Sequence, residues 1–327
     1  MNSFGRLFRI SIFGESHGEC VGILIDGCPA GLPLSDTEFF HDLERRKGGT
    51  KGTTPRKEPD IPLIKSGIFN GKTTGMPILV LFENKDIDSS AYERIRYTPR
   101  PGHADFVAFQ KYGGFNDYRG GGHFSSRLTS GLVAAGVIAK KLIDPVKVEA
   151  QLIEAGGSKD VAGAVEAAMQ NKDSIGGIVE CRVSGAPIGL GEPFFDSVES
   201  LIGHMVFSIP AVKGIEFGAG FAGSRMRGSE HNDEIMNLQG RTKTNNAGGV
   251  NGGITNGNDV IFRVAIKPTS SIARPQSTID IRSGETAPIS VTGRHDTCIA
   301  IRVPVIVEAV TAIVFADLMF IHNRQWG

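Results

Sequence analysis

Three histidines stand where a turn could present an imidazole to a ligand. His17 lies in Gly14-Glu15-Ser16-His17-Gly18, directly after an apolar alternation. His103 lies in Arg100-Pro101-Gly102-His103-Ala104-Asp105, and His295 precedes Asp296 in Gly293-Arg294-His295-Asp296. An imidazole at the end of an element can exchange a proton near neutral pH, and a neighbouring arginine or aspartate sets its charge state. The His295–Asp296 pair could equally do acid–base work. Taken singly, each segment also has a plainer reading: a packed histidine, an ordinary Pro-Gly turn, a surface charge cluster.

A second group of residues points to anions. Arg119-Gly120-Gly121-Gly122-His123-Phe124-Ser125-Ser126-Arg127 opens a small-residue helix. Successive backbone N–H groups, serine hydroxyls and a helix N-terminus together make an anion cradle. It lacks the lysine of G-x-x-x-x-G-K-[ST] and so is not a P-loop of that type. Asn245–Gly253 and Lys267-Pro268-Thr269-Ser270-Ser271 offer further donors. The basic stretch Arg45, Arg46, Lys47, Lys51, Arg56 and Lys57 reads, by itself, as a solvated face. Gly218-x-Gly220-x-x-Gly223 matches a dinucleotide fingerprint, but 43 glycines in 327 residues produce such matches by chance. No apolar helix follows it and no acidic residue is placed for a ribose, so a Rossmann site is rejected. No triad spacing, zinc site or kinase signature competes. The pattern fits a doubly phosphorylated pair of ligands, or one phosphorylated substrate plus a phosphorylated cofactor, with no metal.

The elements that must position these residues are strands and helices in mixed order. Phe8, Ile10 and Ile12 alternate, and Val21–Ile25 forms a second strand. Ser35-x-x-Glu38 is a capping box, so a helix should run to about Lys47 and stop at Gly48–Gly49. Helices are expected over 132–143, 161–169 and 304–320, and a strand over 261–266. Without strict βαβ alternation the fold class is α+β, in one domain. The apolar run 303–321 is interrupted by Pro304, Glu308 and Asp317, each costly in hydrocarbon, and is read as a buried helix.

Bulk properties narrow the function. The 35 basic and 35 acidic side chains cancel, which argues against a global grip on nucleic acid or an anionic membrane. Cys20, Cys28, Cys181 and Cys298 have no C-x-x-C spacing and fit a reducing compartment. The N-terminus lacks an apolar signal core, so a cytoplasmic location is expected.

The four segments Gly14–Gly18 with Ile23 to Pro29, Arg100 to Asp105, Arg119 to Arg127 and Gly293 to Asp296 resemble, in order, the hallmarks of chorismate synthases. The likeness extends from Phe4 to near the C-terminus. It implies a β-α-β sandwich, a homotetramer, and reduced FMN as obligatory cofactor. With no separate reductase segment visible, an external reductant is expected for the flavin, with reduction by a nicotinamide cofactor (NADP) as the alternative. It also implies elimination of phosphate from 5-enolpyruvylshikimate 3-phosphate without net redox change. By the resemblance, His17 protonates or holds the flavin, His103 assists phosphate departure, and Asp296 serves removal of the ring proton. Flavin contacts are implied for His123, Phe124, Ser125, Ala211, Gly252 and Arg294, and for Lys267, Pro268, Thr269, Ser270 and Ser271. Substrate contacts are implied for Arg46, Lys51, Arg100, Arg127 and Arg302. The family usually has arginine and serine where His123 and Phe124 stand, asparagine at Pro210 and proline at Thr297. Two rival classes remain: a flavin oxidoreductase with net electron transfer, and a non-enzymatic phosphate- or RNA-binding module.

Overall fold

The structure is a computed structural model and describes residues 2–326 apart from Thr292 and Arg294. Its first sheet has five strands and comes from the N-terminal part of the chain. Arg9–Gly14 pairs antiparallel with Cys20–Asp26, which pairs with Ile78–Glu83, and short edge strands flank them. Period-two patterning sets the buried face: Val21, Ile23 and Ile25 lie opposite Phe82, Val80 and Ile78, all buried. A second antiparallel sheet of four strands comes from the later part of the chain. There Val260, Phe262, Val264 and Ile266 alternate inward on one strand, beside Val179, Cys181 and Val183 on the next.

Helices fill the space between the sheets. Thr129–Leu142 packs on the first sheet, Val303–Trp326 on the second, and the two helices pack on each other. Small residues permit the approach. A Cβ at Gly136 would fall 2.3 Å from the Ala309 Cβ, so only glycine lets these backbones meet. The result is a sheet–helix–helix–sheet sandwich, consistent with the α+β expectation. The 303–321 run is indeed a core helix: the apolar window of Ile299–Arg324 is 83% buried. Its polar interruptions are each satisfied. Glu308 accepts from Arg45, Lys140 and the Ala150 N–H, and Asp317 accepts from the N–H groups of Arg6, Leu7 and Phe8.

Element ends match the sequence reading with small shifts. The capping box at Ser35–Glu38 is formed, its first turn is 3-10, and Phe40–Arg46 continues it. The 132–143 helix begins three residues earlier, at Thr129, because Ser125 caps the turn before it and Thr129 and Ser130 hydroxyls bond back to Ser126 and Arg127 carbonyls. The Gly218–Gly223 segment leads from an antiparallel strand into a helix of four residues, which is no dinucleotide-binding unit.

Candidate active site

One cleft of about 780 Å³ collects residues from element ends all along the chain. It lies in the upper part of the ~300–1,000 Å³ range of small-molecule sites. His17 sits in the turn between the Arg9–Gly14 and Cys20–Asp26 strands. Three contacts fix that turn. The Asn84 amide donates to the carbonyls of Glu15 (3.0 Å) and Gly18 (2.9 Å), the Ser16 N–H donates to Gly122 (3.1 Å), and Arg56 donates to the Ser16 hydroxyl and carbonyl. The His17 ring is itself held: Nδ1 lies 2.8 Å from the Ser89 hydroxyl, and the Tyr92 ring meets it edge-on at 5.2 Å.

The glycine loop presses its backbone against both turn histidines. Gly120 and Gly121 have φ of +58° and +81°, in the left-handed region. A Cβ at Gly120 would sit 2.3 Å from His17 Cδ2, and one at Gly121 3.3 Å from His103 Cε1. Any larger residue would displace the imidazoles. The same loop turns His123 differently from a phosphate-facing residue. Its Nδ1 donates to the Gly14 carbonyl at 2.9 Å and its Nε2 lies 3.3 Å from Asn2 Oδ1, so it lines the cleft with both nitrogens engaged by protein. Phe124 and Ser125 follow it along the wall.

His103 precedes the Asp105–Tyr112 helix. Its Nδ1 contacts Asp105 Oδ1 at 2.5 Å, and Arg100 grips the same carboxylate through Nε and Nη2, each at 2.8 Å. A contact that short to a carboxylate places the proton on Nδ1 and leaves Nε2 as the basic nitrogen. Burial would raise the Asp105 carboxyl, but the Arg100 and His103 donors outweigh it and hold it far below the usual range. Burial pushes His103 below its ordinary value; Asp105 opposes this and Arg100 reinforces it. His295 is pushed down to about 4 by burial and by Arg100, and its Nε2 is buried with no hydrogen-bond partner among the described residues.

Asp296 and Arg302 stand just before the final helix. Asp296 accepts from the Thr54 N–H (3.0 Å) and from Arg302 Nη2 (2.7 Å). Arg46, at the end of its helix, and Arg127, at the head of another, are both buried in the wall. The basic stretch is therefore a solvated face only in part: Lys51 and Lys57 are exposed, whereas Arg45 pairs with Glu308, Arg46 is 4% exposed, and Arg56 binds Glu58 and Ser16.

On the opposite wall are Ala211, held at φ +75°, and Lys267 to Ser271. Lys267 donates to the Gly102 carbonyl and the Ser270 hydroxyl; burial, then Lys213, lowers its pKa. Ser271 accepts from Arg100, and the Thr269 hydroxyl is buried with no partner among the described residues.

Two expected contacts lie elsewhere. Lys51 is 68% exposed and paired with Glu166 on the neighbouring helix, outside the cleft lining, because its loop folds toward the 161–170 helix. Gly252 is the exposed turn of the hairpin Val250–Thr255, whose next residues bond to the 189–198 segment and hold the turn away from the cleft. Arg294 falls outside the described residues. Sequence reasoning missed Asn84, Ser89, Tyr92, Glu58 and Asp60. Their neighbours in sequence carry no glycine or histidine signal, and only the fold brings them to the motifs.

Comparison with known proteins decides the family. A sequence profile described as chorismate synthase matches residues 8–320. The chain belongs to the chorismate synthase family. The chorismate synthase of Chitinophaga pinensis is 65% identical over 326 residues, covering 99% of this chain and 98% of that protein. That of Thermococcus kodakarensis is 46% identical over 349 aligned positions, covering 98% of each. A crystal structure of chorismate synthase superposes with a TM-score of 0.76 at 27% identity, covering 99% of this chain and 94% of that one. The chain is thus an enzyme of this family, a lyase of the shikimate pathway, and the sandwich is the family's fold.

Proposed function

We propose that the cleft converts 5-enolpyruvylshikimate 3-phosphate to chorismate and phosphate by a 1,4-elimination that requires reduced FMN and returns it reduced. The observation that carries this reading is the convergence of His17, His103 and Asp296 with Arg46, Arg100, Arg127 and Arg302 in one cavity of a family member. The residues present suit a flavin. The Thr269 hydroxyl and His295 Nε2, both from residues of the cleft wall, are buried polar atoms with no hydrogen-bond partner among the described residues. Ser125, Lys267 and Ser270 offer donors to a ligand phosphate. When bound, reduced FMN supplies electron density to the reacting ring during loss of phosphate.

The protein's own groups do the rest. Arginine forks suit the phosphate and the two carboxylates of the substrate. As the C–O bond breaks, the leaving phosphate gains charge and takes a proton from His103 Nε2. Burial holds His103 toward neutrality, but a phosphate dianion nearby raises its pKa, so substrate arms the acid. Asp296, fixed by Thr54 and Arg302, accepts the ring proton as the C–H bond breaks. His17, held through Nδ1 by Ser89, carries a proton for the flavin. One C–H and one C–O bond are exchanged for a ring double bond, with no electrons gained or lost. The protein works as a single catalytic domain in a cytoplasmic homotetramer, with an external reductant for its flavin and no nucleic-acid or membrane partner.

Incubation with chemically reduced FMN and 5-enolpyruvylshikimate 3-phosphate without oxygen should yield chorismate and inorganic phosphate in equal amounts. Failure to form either product would remove the reading. A net flavin oxidation would favour the oxidoreductase class instead.

A further inference from the structure

Asp60 is 1% exposed, between Pro59 and Pro62 in the segment that leads from the Phe40–Arg46 helix to the first sheet. Its φ of +51° is left-handed, a conformation that a non-glycine residue keeps only where its surroundings impose it. What the conformation achieves is a split carboxylate. Oδ2 accepts from Arg46 Nη2 and Oδ1 accepts from Arg127 Nη1, so one aspartate bridges two arginines from distant parts of the chain. Both arginines line the cleft and both are buried.

The charges explain why a bridge is needed. Burial weakens the Arg127 cation and Arg46 beside it adds repulsion, while Asp60 opposes both. Burial would raise the Asp60 carboxyl, yet the two arginines outweigh this and keep it ionised. Glu58 adds to this only at longer range: its Oε2 lies 4.0 Å from Arg127 Nη2, while its oxygens accept from Arg56 and from the N–H groups of Lys85 and Asp86. The far side of Arg127 is fixed by Asn84 and the Glu83 carbonyl. Arg46 keeps a buried Nε that has no hydrogen-bond partner among the described residues. The pair is thus clamped from behind and keeps donor capacity for a ligand.

We propose that Asp60 is a positioning residue for the anion subsite: it sets the spacing and orientation of Arg46 and Arg127 without touching substrate. The proposal rests on the lyase reading above. Two guanidiniums held by one carboxylate are pre-organised for a phosphate or carboxylate, and the anion then meets forks that need no rearrangement. Loss of the clamp should therefore weaken substrate binding more than it slows the chemical step.

The test uses the full chain, reduced FMN and titrated 5-enolpyruvylshikimate 3-phosphate. Asp60→Asn removes the charge and keeps the shape; Asp60→Glu keeps the charge and lengthens the bridge by one methylene. Both should raise KM at least about tenfold with kcat within about threefold, since a misplaced fork loses ground-state binding. FMN affinity, read by flavin fluorescence, should be unchanged. Arg46→Lys should raise KM in the wild-type background and much less in the Asp60→Asn background, because the two residues act as a unit. If Asp60→Asn does not fold, the same cycle is run on Asp60→Glu. A purely structural aspartate would instead lower the melting temperature and the active fraction at unchanged KM. Wild-type KM in a folded variant, or additive effects in the cycle, overturns the proposal. Failure of the wild type to form chorismate would overturn the lyase reading instead.

Discussion

His103 Nδ1 and Asp105 Oδ1 lie 2.5 Å apart, two residues distant in sequence and joined across the start of a helix. Arg100 holds the same carboxylate, so the imidazole has one tautomer and one orientation before any ligand arrives. Asp105 raises the His103 pKa against the lowering effects of burial and Arg100. In Asp105→Asn the raising contact is lost and the lowering ones remain. The acid form of His103 then persists only to lower pH, so the alkaline limb of the kcat profile should move toward acid. An unmoved limb would show that His103 is not the acid.

His17 tests a different part of the cleft. His17→Ala should lower turnover by about 10²–10⁴, the range typical of lost acid–base help. Substrate KM should change much less, since the arginines remain. Near-normal turnover under anaerobic, flavin-saturated conditions would leave His17 as a packing residue for Gly120.

Asp296→Asn keeps the side-chain shape and removes the carboxylate that Arg302 and Thr54 hold. The flavin should still bind while turnover collapses. Titration of FMN fluorescence beside the product assay separates the two. An active asparagine variant would make Asp296 an orienting group for Arg302.

Glu308 offers a stability prediction far from the chemistry. Burial would raise its carboxyl, but the Arg45 hydrogen bond and the Lys140 charge prevail and hold it below its ordinary value. A depressed carboxyl contributes stability above its unfolded pKa, and that contribution is lost as pH falls through the folded one. Glu308→Gln should destabilise by about 2–3 kcal/mol near neutrality, less than for a fully buried pair because Arg45 and Lys140 can reach water. The gap in melting temperature between wild type and Glu308→Gln should be full near pH 7 and shrink below pH 4.5, the ordinary glutamate value below which the ion pairs hold this carboxyl. A gap that stays constant down to pH 3 would contradict the ion-pair assignment.

Much of the site was legible because its residues sit in short, glycine-marked turns. His17, His103 and the Gly120–Gly122 loop are such segments, and the loop's positive φ values leave little choice of residue. The alternation of Val21, Ile23 and Ile25 and the capping box at Ser35 likewise encode local structure. Asp60 and Asn84 were not legible. Neither sits in a motif, and each matters because the fold brings it to Arg127, with Asn84 also holding the His17 turn and Asp60 also holding Arg46. Lys51 and Gly252 illustrate the opposite case, since neither lines the cleft of this chain. A basic residue and a glycine next to real site segments can still belong to a surface ion pair and a solvent-facing hairpin turn.

The most direct measurement is the number of chorismate molecules formed per reduced FMN in an anaerobic cuvette, with flavin absorbance followed throughout. The expected result is many turnovers while the flavin spectrum remains that of the reduced form. Product formation that stops after one equivalent, with matching appearance of oxidised flavin, would contradict the elimination and make the cleft that of an oxidoreductase.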